Sequence, residues 1–427
     1  MANRTVWGEK FTPIQQAKAE QMNDSEERVP PYSVPGPESA TAAEFLQKER
    51  KELLKKLGIY LYGSIPGRCR YLDFDVVSEE PDAFDGLATR RQIVIRCSNG
   101  GQARFLNMLL YIPNRRKKPV PVFFGMNLRG THAGTFDPLV RYTVTKRYPT
   151  LDGYIRFTDR RAREDQRGME ASRWDHEKVL KRGYAVATIN YCDVYPDHPL
   201  GFPDSVLAMF FDEKTFQSPE RPCGAISAWA WGYSRAIDCL EAQPEIDRNH
   251  IAIHGLSRLG KTALWAGAND DRAALTVSCC SGTLGAKLSH RYFGEDFSWI
   301  DLWNPHWVVP EFRNWVDRDL EIPVEQNQLL ACIAPRLLFI MSAEEDTYAD
   351  PKGEFLSAVH ASKFYRLFGS EGIGTDRQPP VGKLLTGDIG YFLQEKEHNF
   401  HPSGWDALLD YTDLHWGIHP HSQENER

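Results

Sequence analysis

Apolar and polar positions change rhythm partway along the chain. Phe45-Leu46, Leu53-Leu54 and Leu57, set among Glu and Lys, predict an amphipathic helix within residues 40–57. Short β-rich runs follow at 71–77, 92–97 and 105–112, divided by Gly, Pro and charged turns, which predicts an antiparallel start to a sheet. From residue 119 on, apolar runs alternate with stretches spaced for helices. Strands are expected at 119–124, 184–189, 251–253, 275–280, 336–341 and 390–393. Helices are expected at 171–181, 223–240, 262–268, 326–333, 353–367 and 404–415. Such alternation is the pattern of a parallel, doubly wound sheet, so the expected class is α/β. The organisation read from it is one domain over residues 41–420. An extended arm over residues 1–40 precedes it, polar and proline-rich with Pro30-Pro31 and Pro35-Gly36-Pro37.

Two stretches break the rhythm. Residues 133–170 are rich in Arg, Asp and Tyr with little periodicity, and loops of that length are functional or lack structure. Residues 281–322 gather Tyr292, Phe293, Phe297, Trp299, Trp303, Trp307, Phe312 and Trp315 beside His290, Arg291, Glu295 and His306. This second insertion reads equally as a cap walling a site and as a packed outer subdomain. Apolar faces mixed with polar edges suit a sugar ring.

Composition removes several function classes. The 427 residues carry a net charge of -7, and no block of Lys and Arg is long enough to track phosphates, so nucleic acid is not an expected partner. No apolar run approaches the roughly 20 residues that span a bilayer, so no membrane partner is expected. The eight cysteines show no CxxC pair and no metal-ligand spacing, and read as small buried hydrophobes. No metal or organic cofactor is expected.

The chemistry centres on His254-Gly255-Leu256-Ser257-Arg258-Leu259-Gly260-Lys261, between the apolar run at 251–253 and the helical spacing at 262–268. A strand turning sharply into a helix at a serine is the nucleophile elbow of an α/β-hydrolase, a three-layer sandwich around a mostly parallel sheet. The turn presents the hydroxyl, aims a helix N-terminus at it and leaves backbone N–H groups for an oxyanion. The second glycine comes one place later than in G-x-S-x-G, so a plain Gly-Ser turn fits these residues equally well. In this fold the acid and then the histidine follow the serine. Glu344, Glu345, Asp346 and Asp350 crowd the loop after the strand at 336–341. Asp346 fits the turn best, Glu345 second, and Asp350 before Pro351 reads as a helix N-cap. His398 follows the last strand, with His401 as its competitor. The loop from Gly125 to His132 is either a second oxyanion donor or a plain turn.

The segment GLSRLGKTALWAGA resembles the nucleophile segment of bacterial glucuronoyl esterases, carbohydrate esterase family 15, with Leu256 departing from the cysteine or histidine usual before the serine. The resemblance runs over roughly residues 60–415. It includes 127–132, RGMEASRW at 167–174, SHRYFGE at 289–295, PHW at 305–307, SAEEDTYADP at 342–351 and His398 with Trp405. It implies Ser257 as nucleophile, His398 as base and Arg258 as a fixed cation beside the oxyanion. It also implies Lys261, Glu295, Trp307 and Tyr348 at the sugar, Tyr348 standing where many members have tryptophan. Many members carry the triad acid as Glu in an E-S-G segment; here Cys280-Ser281-Gly282 stands there, so the acid role falls to Asp346. The implied activity is hydrolysis of (4-O-methyl-)glucuronic acid esters, as in lignin–carbohydrate linkages on xylan. The substrate is a glucuronate-bearing polysaccharide or a small glucuronate ester. The alternatives are an acetyl xylan esterase and a catalytically weak carbohydrate-binding relative. The protein is expected to be a monomer and secreted or periplasmic, although Met1 to Thr5 lacks an apolar signal core, which leaves the cytoplasm open.

Overall fold

The computed structural model describes residues 5–6, 9–10, 13–142, 148 and 162–417. Most of the middle of the first insertion therefore lies outside the described residues. One ten-stranded sheet organises the rest. Its strands are β1 (Tyr71–Asp82), β2 (Ala88–Asn99), β3 (Gln102–Pro113), β4 (Val120–Asn127) and β5 (Ala185–Asn190). They continue with β6 (Ile246–Leu256), β7 (Ala273–Cys279), β8 (Leu337–Ala343), β9 (Leu385–Thr386) and β10 (Ile389–Gln394). The order across the sheet is β9-β10-β8-β7-β6-β4-β5-β3-β2-β1.

The six strands from β10 to β5 run parallel. β1, β2 and β3 form the expected antiparallel meander, and β9 is an antiparallel edge. Every residue of β4, β5 and β10 is buried, which is why these strands read as continuous apolar runs. The meander strands are 12 residues each, longer than their apolar signal. Charged residues extend them: Arg91 on β2 pairs with Glu79 on β1 at 2.5 Å and with Glu245 at 2.8 Å.

Five helices flank the sheet: α1 (His176–Lys181), α2 (Ala225–Glu241), α3 (Arg258–Asn269), α4 (Pro351–Tyr365) and α5 (Pro402–Trp416). Ile251 and Ile253 of β6 face the larger core with α2, α3 and α4. Ala252 faces the other core, where α1 and α5 bring Val179, Trp405, Leu408 and Tyr411. Alternate residues of one strand thus serve opposite layers, giving the three-layer α/β-hydrolase sandwich.

Three local expectations change. The helix expected at 171–181 is two, Ala171–Trp174 and α1, because Asp175 takes a left-handed conformation at φ 39°. The arm is not extended throughout, since Pro13–Gln21 is helical; its Ala19, with Met22 just beyond, packs on Trp299 and Trp303. The second insertion, read as either a cap or a packed outer subdomain, serves as both. Phe297, Trp307 and Phe312 join the main core, while Trp303 and Trp307 line the cavity described next.

Candidate active site

Parallel pairing brings distant residues to one rim. Leu256 lies opposite Cys279, Cys279 opposite Met341 and Ala343 opposite Gln394, so β6, β7, β8 and β10 end side by side. Ser257, Cys280, Asp346 and His398 leave these four ends and line a single cavity of about 570 Å³. In open α/β sheets the carboxyl ends of the strands are where ligands bind.

The elbow is as tight as its sequence suggested. Ser257 sits at φ 60°, and its N–H donates to Cys279 O at 2.8 Å. A Cβ on Gly255 would stand 2.0 Å from Leu259 O, so glycine is required where the helix doubles back on the strand. At Gly260 a Cβ would meet Gly255 O at 3.0 Å. The late second glycine therefore does the packing work of the motif. Among the described residues, none of 125–132 lines the cavity, which favours the plain-turn reading of that loop.

His398 Nδ1 stands 2.5 Å from Asp346 Oδ2. A carboxylate accepts, so Nδ1 carries the hydrogen and the basic lone pair lies on Nε2. The two loops are fastened together: Glu344 N–H donates to Gln394 O and Glu345 N–H to Lys396 O, both at 3.0 Å. Ala349 N–H donates to Asp346 Oδ1 at 3.3 Å. The competitors are placed differently, although Glu345 also lines the cavity. Glu345 is exposed, His401 is pinned to Glu397 O at 2.9 Å, and Asp350 caps α4 through Gly353 N–H at 2.9 Å. Cys280 stands beside the pair, its thiol pushed well up by burial.

Arg258 is held by a residue that the sequence reading passed over. Its guanidinium is paired with Asp197 and lies 4.9 Å over the Trp307 ring; the two charged side chains are only 4% and 1% exposed. Asp197 also accepts from Tyr191 OH at 3.0 Å, from Trp307 Nε1 at 2.8 Å and contacts His306 Nε2 at 2.9 Å. Trp307 thus supports Arg258 as well as lining the cavity. Arg258 Nε is buried without a hydrogen-bond partner among the described residues.

Lys261 Nζ donates to Ser281 O at 2.5 Å, Thr283 O at 2.6 Å and Glu295 Oε2 at 3.2 Å. Burial pushes its pKa down, against the opposing pull of Glu295. Tyr348 lines the same cavity and meets Trp299 edge-on at 5.5 Å. Every site residue expected from the sequence is therefore brought to one cavity. Trp303, from the aromatic insertion, lines it too, as do Arg173 and Asn304, which were not expected. Nor was Glu354 of α4, which lies beneath. Glu354 Oε1 accepts from Ser281 N–H at 2.7 Å and Gly282 N–H at 3.0 Å, and Oε2 from Ser342 at 2.6 Å. Burial pushes it up to about 7.

Known proteins share this arrangement of strands. A family model described as "Glucuronyl esterase, fungi" matches residues 210–369. The chain is 37% identical over 403 residues to carbohydrate esterase MZ0003, from an unknown prokaryotic organism, covering 92% of each. It is 33% identical over 167 residues to a 4-O-methyl-glucuronoyl methylesterase of Podospora anserina, 36% of this chain and 34% of that one. Among solved structures, a glucuronoyl esterase from Solibacter usitatus superposes with TM-score 0.85 at 35% identity, over 92% of this chain and 100% of that one. A promiscuous CE15 esterase from a marine bacterial metagenome superposes with TM-score 0.83 at 36% identity, over the same shares.

Two measurements check the buried charges. Asp197→Ala leaves Arg258 buried without its counter-ion, and chemical denaturation is expected to register a loss of about 3–5 kcal/mol. Asp197→Ala/Arg258→Met is expected to recover part of it; no recovery would place the cost in the other hydrogen bonds. Glu354 keeps its proton in the folded protein up to about pH 7. The unfolded chain loses that proton near pH 4.5, so this group lowers stability progressively from about 4.5 to 7 and keeps it lowered above. Glu354→Gln, always neutral, is expected to melt above the parent at about pH 8, with the gap closing below about pH 4.5. A gap constant with pH would remove the assignment.

Proposed function

We propose that this chain, which belongs to the glucuronoyl esterases of carbohydrate esterase family 15, hydrolyses esters of 4-O-methyl-glucuronic acid with a Ser257-His398-Asp346 triad. The observation that carries the triad is the 2.5 Å contact between His398 Nδ1 and Asp346 Oδ2 at the rim where Ser257 stands. His398 Nε2 takes the Ser257 proton as the hydroxyl attacks the uronoyl carbonyl. Arg258 and the backbone N–H groups at the start of α3 stabilise the oxyanion, and His398 returns the proton to the departing alcohol. Water, activated by the same imidazole, then releases the free acid. Asp346 holds the imidazole in the working tautomer and stabilises its cation, a task that the neutral Cys280 cannot perform.

The sugar is read by the other end of the cavity. Glu295, held by Lys261, offers an acceptor to ring hydroxyls, and Trp303, Trp307 and Tyr348 offer apolar surface. Glucuronate esters on xylan, including lignin–carbohydrate linkages, are the substrates this chemistry fits, and a secreted or periplasmic monomer is the form we assign to it. Among the described residues, no helix is long and apolar enough to cross a membrane. An acetyl ester hydrolase is the second reading, favoured by the promiscuity named for the marine relative.

Kinetics on benzyl glucuronate beside an acetyl ester separate the two. The parent is expected to prefer the glucuronate ester. Lys261→Met is expected to lose that preference while keeping acetyl turnover; equal losses on both esters would count against a uronate-reading site. Asp346→Asn is expected to lower kcat about ten-thousandfold on either ester. A fall of less than about tenfold would take the acid role away from Asp346.

A further inference from the structure

Three atoms able to bind a metal meet inside the cavity: the Cys280 sulfur, an Asp346 oxygen and a His398 ring nitrogen all lie within 4.8 Å of one another. All three residues line the cavity. Thiolate, carboxylate and imidazole are ligands of four-coordinate zinc; bonds of about 2.0–2.3 Å put such atoms roughly 3.3–3.8 Å apart. Side-chain shifts of about an ångström close that gap, with the fourth position left to water from the cavity. Outer contacts already orient two of the ligands. Gln394 Nε2 points at the Cys280 sulfur from 3.6 Å, and Ala349 N–H holds the second Asp346 oxygen at 3.3 Å.

The geometry points to Cys280, Asp346 and His398 as an inhibitory site for a thiophilic divalent cation such as Zn²⁺ or Cd²⁺. Binding forms a metal–sulfur bond and releases the thiol proton to water, with no change of oxidation state. Coordination through His398 Nδ1 replaces the N–H that Asp346 accepts; coordination through Nε2 occupies the lone pair that takes the Ser257 proton. Ser257 loses its base in either case. Sulfur supplies the preference for soft ions, which an oxygen ligand at position 280 would not. The inhibitory consequence rests on the triad reading; the binding itself does not.

The test titrates the full chain, as parent, Cys280→Ser and Cys280→Ala, with cadmium or zinc chloride. It follows the ultraviolet sulfur-to-cadmium charge-transfer band and, separately, hydrolysis of benzyl glucuronate, each protein against its own metal-free rate. The parent is expected to gain the band at one cadmium per chain and to lose turnover, with chelator restoring it. Both variants are expected to lack the band and to need at least roughly tenfold more metal for the same inhibition. A band that persists in both variants, or equal metal sensitivity in all three proteins, overturns the site. A Cys280-dependent band in a chain that does not hydrolyse glucuronate esters keeps the metal site and sinks the triad reading; turnover without the band does the reverse.

Discussion

The imidazole of His398 can be held in one orientation only because two loops from neighbouring parallel strands are locked together. β8 and β10 are paired along their length up to Ala343 and Gln394, and the backbone bonds continue past the strand ends through Glu344 and Glu345. Asp346 thus reaches its place as an extension of the sheet, with the 2.5 Å contact to His398 as the outcome. Orientation set by backbone pairing loses little entropy when substrate binds, because the side chains are already ordered. The same lattice of strands presents Ser257 two positions along the rim.

Around this pair the site is built from charges withdrawn from water, each matched by a local partner. Arg258 has Asp197, and Lys261 has Glu295 with two carbonyls. Glu354, which keeps its proton up to about pH 7, needs no cation; two backbone N–H groups and two serine hydroxyls surround it. The carbonyls that hold Lys261 belong to the loop whose N–H groups Glu354 accepts. One buried carboxyl therefore holds the loop whose carbonyls hold Lys261, linking α4 to α3 through that loop. Such paired buried networks specify a geometry more than they add stability.

How far the sequence could be read follows from the same physics. Ser257, Asp346 and His398 were legible because each follows an apolar run, and strand ends carry chemistry in this fold. Asp197 obeys that rule as well, seven residues past the end of β5, but the short proline-flanked loop around it offers no second cue. Glu354 was hidden because a carboxylate in a helix is ordinarily read as solvated; only its position inside an apolar turn of α4 hinted otherwise. The split of 171–181 was missed because periodicity reports which face is buried, and both pieces bury theirs. The meander's true length was masked by charged pairs such as Arg91 with Glu79, which belong to the ladder but carry no apolar signal.

Cys280 makes sense in electrostatic terms. Its backbone sits at φ 45° just past the end of β7, and its sulfur shares the same small space as the Asp346 and His398 ligand atoms. Glu354 lies behind it, already raised by burial and by the proximity of Asp346. A carboxylate at 280 would be a third acid in that volume, and like charges so close cannot all stay ionised. The first to take up a proton would weaken whichever acid was bonded to the imidazole. A small neutral thiol avoids the conflict and leaves Asp346 as the one acid in contact with the ring. In the triad proposed above, the acid therefore comes from the loop after β8, with a thiol and not a carboxylate at the end of β7 beside it.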